Sequence, residues 1–401
     1  MNDVLIVGAG PVGLLNALGL AQAGVRVTLI EREPRIVDSP RAVVYHWSVL
    51  EGLERLGLLE EARSIGFTKQ DYCYLVFRTR EKICWSLEPL AAITPYPYNL
   101  HLGQNRLGEM ALRRLSEMPN FSVHWNTSFT GLLQDARGVT ATAASPEGAR
   151  EFRVGWVIGA DGAGSAVRKA AGLGFEGITW PQRFVATNIL YDFEADGYAR
   201  ATLMIDPQYG AIIAKIDAQG LWRCTYCEDA ALPEEQVLER MPAYFRAVLS
   251  RPDQYELKMY SPYRMHQRAA ERFRLGRVLL AGDAAHATNP TGGLGLTSGL
   301  FDTYVLYEAL AAVIHGAADD AILDRYSQER RRIFLDYASP RASENKRLIY
   351  HSSDPARLEQ DLRVLRRLQT DRDFLMQTVT FTKQLETPSL LGAGGGRRGN
   401  G

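Results

Sequence analysis

Val4-Leu5-Ile6-Val7-Gly8-Ala9-Gly10-Pro11-Val12-Gly13 stands near the head of the chain. The apolar run Val4 to Val7 suits a buried parallel strand. Gly8 permits a tight turn after it, Gly10 lets a pyrophosphate reach the backbone, and Gly13 lets a helix pack closely on the strand. Residues 11–23 have helix-forming content and Gly24 closes them as a C-cap. Residues 25–30 make a second apolar strand, and Glu31 follows it, 18 residues beyond Gly13. A carboxylate there accepts hydrogen bonds from a ribose, while the helix start offers free N–H groups and positive potential to phosphates. The glycine pattern alone is weak evidence, and an unrelated α/β turn competes with it. Strand, glycines, helix, strand and acid together predict a dinucleotide-binding unit.

Two further strand-to-helix turns lie downstream. Residues 156–161 repeat the buried-strand pattern and run into Asp161-Gly162, with Ser165 and Arg168 opening a helix. By itself this is as readily a turn with Ser165 as N-cap. Residues 277–281 make another apolar strand, followed by Gly282-Asp283-Ala284-Ala285-His286 and by Pro290-Thr291-Gly292-Gly293-Leu294-Gly295-Leu296-Thr297. Asp283 can accept from a sugar-like hydroxyl, and the glycines let backbone approach a flat ligand. A long helix predicted to begin near Thr297 would turn its positive end to that ligand.

Between these turns the chain changes character. Tyr72, Tyr74, Val76, Phe77, Ile83 and Trp85 suggest strands of another sheet, residues 107–115 a helix and residues 121–144 strands again. Residues 180–257 are rich in β-branched and aromatic side chains with turn signals between them. A helix is expected over residues 44–56, with Val49, Leu53 and Leu56 on one face. The predicted fold is therefore a two-domain α/β (α+β) protein. A Rossmann-like domain (residues 1–70, 97–178 and 263–345) is interleaved with a mixed β-sheet substrate domain (71–96 and 179–262). C-terminal helices (346–386) and a glycine-rich disordered tail (387–401) follow.

With 401 residues the chain exceeds one ordinary core. Lys+Arg and Asp+Glu are both 46, so no basic excess points to nucleic acid or a membrane surface. No apolar run approaches about 20 residues, and no leader is seen, so a cytoplasmic protein is expected. Cys224-Thr225-Tyr226-Cys227 has CxxC spacing, but no second ligand pair follows, and a strand puts the two thiols on opposite faces. Ordinary strand cysteines and no metal site are expected.

The order and spacing of the three turns resemble the FAD-dependent aromatic hydroxylases of the para-hydroxybenzoate hydroxylase type, the single-component class A flavin monooxygenases. The resemblance spans roughly residues 3–345 and includes Glu31-Arg32, Asp161-Gly162 and Gly282-Asp283 through Pro290. It implies that fold, an FAD cofactor, and NADPH or NADH as co-substrate. It also implies that the flavin is reduced, forms a C4a-hydroperoxide with O2, and hydroxylates a small phenolic or N-heteroaromatic ring. Gly8, Gly10, Val12 and Gly13 would then bind the pyrophosphate and Glu31 the adenosine ribose, with Arg32 and Arg41 alongside. Gln104 would reach the ribityl region, Phe129 the adenine and Asp283 the ribityl chain. Asp161 and Arg168 fall in the segment associated with both FAD and the nicotinamide nucleotide. Pro290, Gly293, Leu294, Gly295 and Leu296 would line the isoalloxazine. Leu294 stands where many relatives carry Gln, and Thr297 or Ser298 where they carry Asn, so contacts there are expected from backbone.

The catalytic residues are less legible. His46, Arg223 and Tyr226 are candidates, with Tyr191 and Tyr209 behind them and Pro290 beside the flavin; Arg223 could pair a substrate carboxylate. His286 reads as structural. The readings that compete with hydroxylation are an epoxidase or reductase of the same fold, or a non-catalytic FAD-binding protein. The Trp-x-Trp-x-Ile-Pro pattern of flavin halogenases is absent. A monomer or homodimer is expected.

Overall fold

The computed structural model describes residues 3–38, 43–217 and 219–392. Val4–Val7 is buried throughout and forms the centre of a six-stranded sheet, paired in parallel with Val27–Ile30 on one side and Trp156–Gly159 on the other. Phe121–His124 extends the sheet beyond Val27–Ile30, and Val278–Leu280 extends it beyond Trp156–Gly159, with a short antiparallel edge at Arg274–Leu275. Helices Pro11–Gln22 and Leu294–Ile314 pack on each other over this sheet. The second is buried on nearly every side through Leu306, as its apolar sequence requires.

The second large sheet has eight strands in the order His286–Ala287, Glu256–Ala270, Phe175–Leu190, Leu221–Asp229, Ala211–Lys215, Ala201–Ile205, Asp71–Val76 and Lys82–Ser86. Phe175–Leu190 and Glu256–Ala270 pass unbroken through positions 178 and 262, where the sequence reading divides the domains. Alternation along Leu221–Asp229 sends Trp222, Cys224 and Tyr226 into one core and Arg223 and Thr225 to the opposite face. A three-stranded sheet, Val44–Tyr45, Asn99–His101 and Phe67–Lys69, has Asn99–His101 in its middle. Ser128–Gln134, Val139–Ser145 and Gly148–Val154 form an antiparallel meander.

Four expectations change. The helix expected from residue 44 begins at Trp47, because Val44 and Tyr45 pair with His101 and Leu100 instead. Helix Val237–Val248 interrupts the region read as strands; its buried Val237, Met241, Phe245 and Val248 have helical spacing that the surrounding aromatic content and Pro242 obscured. The long helix begins at Leu294 rather than near Thr297. The first residues of the expected disordered tail are ordered. Thr387 and Leu390 are buried, and Thr387 Oγ1 accepts from Arg330 Nη1 at 3.1 Å. Residues 393–401 lie outside the described residues.

Helix Ser339–Tyr350 runs through position 345, and Leu348, Ile349 and Tyr350 join Leu362 in covering Phe184, Ile205 and Met265 of the large sheet. Cys224 and Cys227 are unbonded strand residues. Cys73 and Cys84 face each other on neighbouring strands with Cα atoms 4.0 Å apart and form a disulfide. No helix among the described residues is long and apolar enough to cross a membrane.

Candidate active site

One cavity of about 1210 Å³ runs from the glycine turn to the face of the eight-stranded sheet. It opens at the carboxyl ends of Val4–Val7, Trp156–Gly159 and Val278–Leu280, where α/β sheets bind ligands. A Cβ on Gly13 would fall 1.9 Å from the Gly8 carbonyl oxygen, so helix and turn can meet only through glycine. A Cβ on Gly10 would meet nothing within 4 Å, which leaves the backbone open to a ligand. Glu31 accepts from the Ala9 N–H at 2.7 Å and from the Glu33 N–H at 3.0 Å, which fixes its carboxylate at the cavity wall. Arg32, Gln104 and Phe129 line the same end. Arg41 lies outside the described residues.

The second turn is held by its own side chains. Asp161 Oδ2 accepts from the Ala166 N–H at 2.7 Å and the Val167 N–H at 3.2 Å, and Ser165 Oγ caps Arg168 N at 2.9 Å. Asp161 nevertheless borders the cavity. Arg168 does not: its buried guanidinium donates to the carbonyls of Ala284 and Ala163, both at 2.9 Å, and so bolts the second turn to the third.

The third turn rests on a buried network that sequence reading missed. Asp302, inside the long helix, accepts from Gly282 N at 3.0 Å, from Arg330 Nε at 2.8 Å, and pairs with His286 Nε2 at 2.6 Å. Burial opposes ionisation of Asp302, but His286 and Arg330 outweigh it and hold the pKa below the usual carboxylate value. His286 stacks on Phe334 and is structural, as expected. Asp283, Pro290 and residues 293–296 line the cavity. Gly293 has φ 69° and caps the helix, and the first helical N–H groups after it have no partner within the helix.

The far half of the cavity is aromatic. Tyr72 and Tyr74 stack on Trp85 with ring centroids 5.8 and 4.9 Å apart, and all three face the cavity with Leu203, Ile213 and Met265. Arg223 is buried in that wall, with Nε donating to Asn188 Oδ1 at 2.7 Å. Burial lowers its pKa to about 10, so it remains a cation at neutral pH. His46 sits between the two halves, its Cε1 3.1 Å from where a Gly293 Cβ would be. Thr297 Oγ1 donates to the Gly293 carbonyl at 3.0 Å and so accepts from His46 Nδ1 at 2.7 Å, leaving Nε2 as the lone pair. Enclosure by protein lowers the His46 pKa to about 4.

His46, Arg223 and Pro290 thus line one cavity, and three tyrosines do not. Tyr226 points to the opposite face and stacks on Tyr244 at 4.0 Å. Tyr191 bonds Asp196, and Tyr209 packs on Phe77, both away from the cavity. Tyr72, Asn99 and His101, which the sequence reading did not single out, line it.

A family model described as an FAD binding domain matches residues 1–337. The chain belongs to this FAD-binding flavoprotein family. It is 43% identical over 385 residues to the 6-hydroxy-3-succinoylpyridine 3-monooxygenase of Pseudomonas putida (strain DSM 28022 / S16), covering 96% of this chain and 98% of that one. It is 44% identical to the para-nitrophenol 4-monooxygenase of Pseudomonas sp. (strain WBC-3), covering 96% of each. The crystal structure of p-nitrophenol 4-monooxygenase from Pseudomonas putida DLL-E4 superposes with a TM-score of 0.93 at 41% identity, covering 97% of this chain and 100% of that one. The protein is an FAD-dependent aromatic monooxygenase. Its residues fit that cofactor: an open glycine backbone, a fixed carboxylate and helix N–H groups with no partner within their helix border one long cavity.

Proposed function

We propose that this monooxygenase uses NADPH or NADH and O2 to hydroxylate a small phenolic or N-heteroaromatic ring bearing a carboxylate, nitro or similar polar substituent. The observation that carries the reading is Arg223, a buried cation in a cavity wall otherwise built of Tyr72, Tyr74, Trp85 and aliphatic side chains. The carboxylates that line the cavity, Glu31, Glu33, Asp161 and Asp283, all lie at the turns of the dinucleotide-binding unit. An anionic or strongly polar group is therefore drawn to the Arg223 end. The nitrophenol and the succinoylpyridine in the names of the two relatives have this character.

FAD, when bound, carries electrons from the nicotinamide to O2 and supplies the oxygen atom that enters the ring. In this reading Gly8, Gly10, Val12 and Gly13 hold the pyrophosphate, Glu31 and Arg32 the adenosine, and Gln104 and Asp283 the ribityl chain. Phe129 meets the adenine, and Asp161 faces the cofactor from the second turn. The N–H groups of Leu294, Gly295 and Leu296 would stabilise negative charge on the flavin ring, and Pro290 and Gly293 would let it approach. His46, neutral and anchored by Thr297, would offer that ring an acceptor. The aromatic wall excludes water from the reacting atoms. The reading keeps the enzyme cytoplasmic, as a monomer or homodimer.

The test is a panel of nitrophenols, hydroxybenzoates and hydroxypyridines with the FAD holoenzyme. NAD(P)H consumption should rise with the right ring, and mass spectrometry should find a hydroxylated product. Peroxide with unchanged ring for every responsive compound would contradict hydroxylation.

A further inference from the structure

Asn99 and His101 project from the same face of the strand Asn99–His101, and both line the cavity. Asn99 is engaged at both ends: Oδ1 accepts from Trp47 N at 2.8 Å and Nδ2 donates to Tyr72 Oη at 2.6 Å. His101 is engaged at one. Its Nδ1 lies 3.1 Å from the Lys215 backbone carbonyl, which can only accept. Nδ1 therefore carries the proton, and Nε2 of the neutral ring is a lone pair. The residue is 0% exposed, and Nε2 has no hydrogen-bond partner. A buried acceptor left without a donor costs about 1–3 kcal/mol. In a ligand cavity that cost is removed by whatever donor the ligand brings.

His46 offers a lone pair too, but from beside Gly293, where the two halves of the cavity meet. His101 belongs instead with Asn99 and Tyr72, whose ring forms the aromatic wall. Lys69 on the neighbouring strand, His46 and Lys215 are the titratable groups packed around it. Burial, joined by Lys69 and His46 against the Lys215 bond, lowers its pKa to about 4, so the ring is neutral in the resting enzyme.

We infer that His101 Nε2 accepts the hydrogen of the substrate's ring hydroxyl and takes that proton as the ring is attacked. The inference rests on the function proposed above and adds a residue to it. The substrate O–H bond breaks, and its electron pair stays on oxygen and feeds the ring carbon that receives the oxygen atom. The proton forms a new N–H bond at Nε2. The imidazolium, disfavoured by burial and by Lys69, gives the proton up to solvent once the product leaves and water refills the cavity, and returns to its neutral form.

The experiment compares wild type, His101→Asn and His101→Gln as FAD holoenzymes. The probe is para-nitrophenol, whose neutral and ionised forms absorb differently. Asn keeps an N–H for the Lys215 carbonyl but removes the acceptor at Nε2. It should lower kcat by about 100-fold or more, and lower the pH at which bound nitrophenol ionises, because a lone pair accepting from the neutral O–H favours the protonated phenol, with FAD content and melting temperature at neutral pH unchanged. Gln places an amide oxygen near the Nε2 position and should recover KM but not kcat. A His101→Asn enzyme with wild-type kcat and wild-type ionisation of the bound phenol would overturn the inference. Should the Asn variant fail to hold FAD, a His101→Gln enzyme within a few-fold of wild-type kcat overturns it equally. A wild type that no phenol or hydroxypyridine stimulates would overturn the proposed function itself, and that result is distinct from an active wild type with an unaffected variant.

Discussion

Arg223 and Tyr226 stand three apart in one strand, and that spacing decides what each can do. The pleat turns Arg223 to the cavity and Tyr226 into the core behind it. Arg223→Gln should therefore raise KM for carboxylate- or nitro-bearing rings about 10- to 100-fold, the worth of one charge-assisted hydrogen bond. Steady-state kinetics on the holoenzyme would show this with flavin absorbance unaltered. Tyr226→Phe should leave KM alone. His101 gives a second prediction at this scale. Its folded pKa of about 4 lies below the ordinary histidine value of 6.5. The unfolded chain thus binds the proton more tightly, and stability is lost as pH falls through that window. The loss is on the order of 3 kcal/mol, complete below the folded pKa and absent above the unfolded one. Denaturant melts across the window should fall less steeply for His101→Asn than for wild type. Arg223 was legible because a cation in an aromatic, β-rich stretch is unusual. Tyr226 was misplaced because the face a strand turns inward is set by its partners, and those are not local. His101 left almost no trace: only three residues make its strand, too few for a period to show.

The long helix Leu294–Ile314 does two jobs at once. Its N-terminus borders the cavity, and eight residues in, Asp302 grips the Gly282 N–H of the preceding turn. Breaking that grip leaves Arg330 buried without its carboxylate, a loss of about 3–5 kcal/mol for such pairs. Asp302→Asn should therefore lower the melting temperature and release FAD more readily, by thermal shift and flavin fluorescence. Gly13→Ala should likewise yield protein that retains little FAD, since the Gly8 carbonyl it would strike is backbone and cannot rotate away. The glycine turns and the acid after the second strand were legible as local patterns that chemistry demands. The Asp302–Arg330–His286 network was not, since its members lie far apart in the chain. Helix Val237–Val248 was hidden by its own aromatic residues, which suit strands equally well.

At the scale of the molecule, two sheets share one cavity because Phe175–Leu190 and Glu256–Ala270 run from one region into the other. The interleaving was legible as alternating patterns of apolar strands; the cover was not. Thr378, Val379, Phe381 and Thr382 come from the last helical segments and close the cavity over the aromatic wall. They are tied down by Trp47 Nε1 donating to the Val379 carbonyl at 2.9 Å and by Arg341 lying 4.4 Å over Phe381. Phe381→Ala should admit water to the reacting atoms. The ratio of hydroxylated product to NAD(P)H consumed should drop, with peroxide making up the difference. All of this supposes that cofactor and ring meet in one enclosed space. Turnover of the best ring substrate under isotopically labelled O2, followed by mass spectrometry of the product, tests that most directly. One labelled oxygen atom per hydroxylated ring is the expected result; product oxygen drawn from water, or labelled peroxide with no labelled ring, would contradict it.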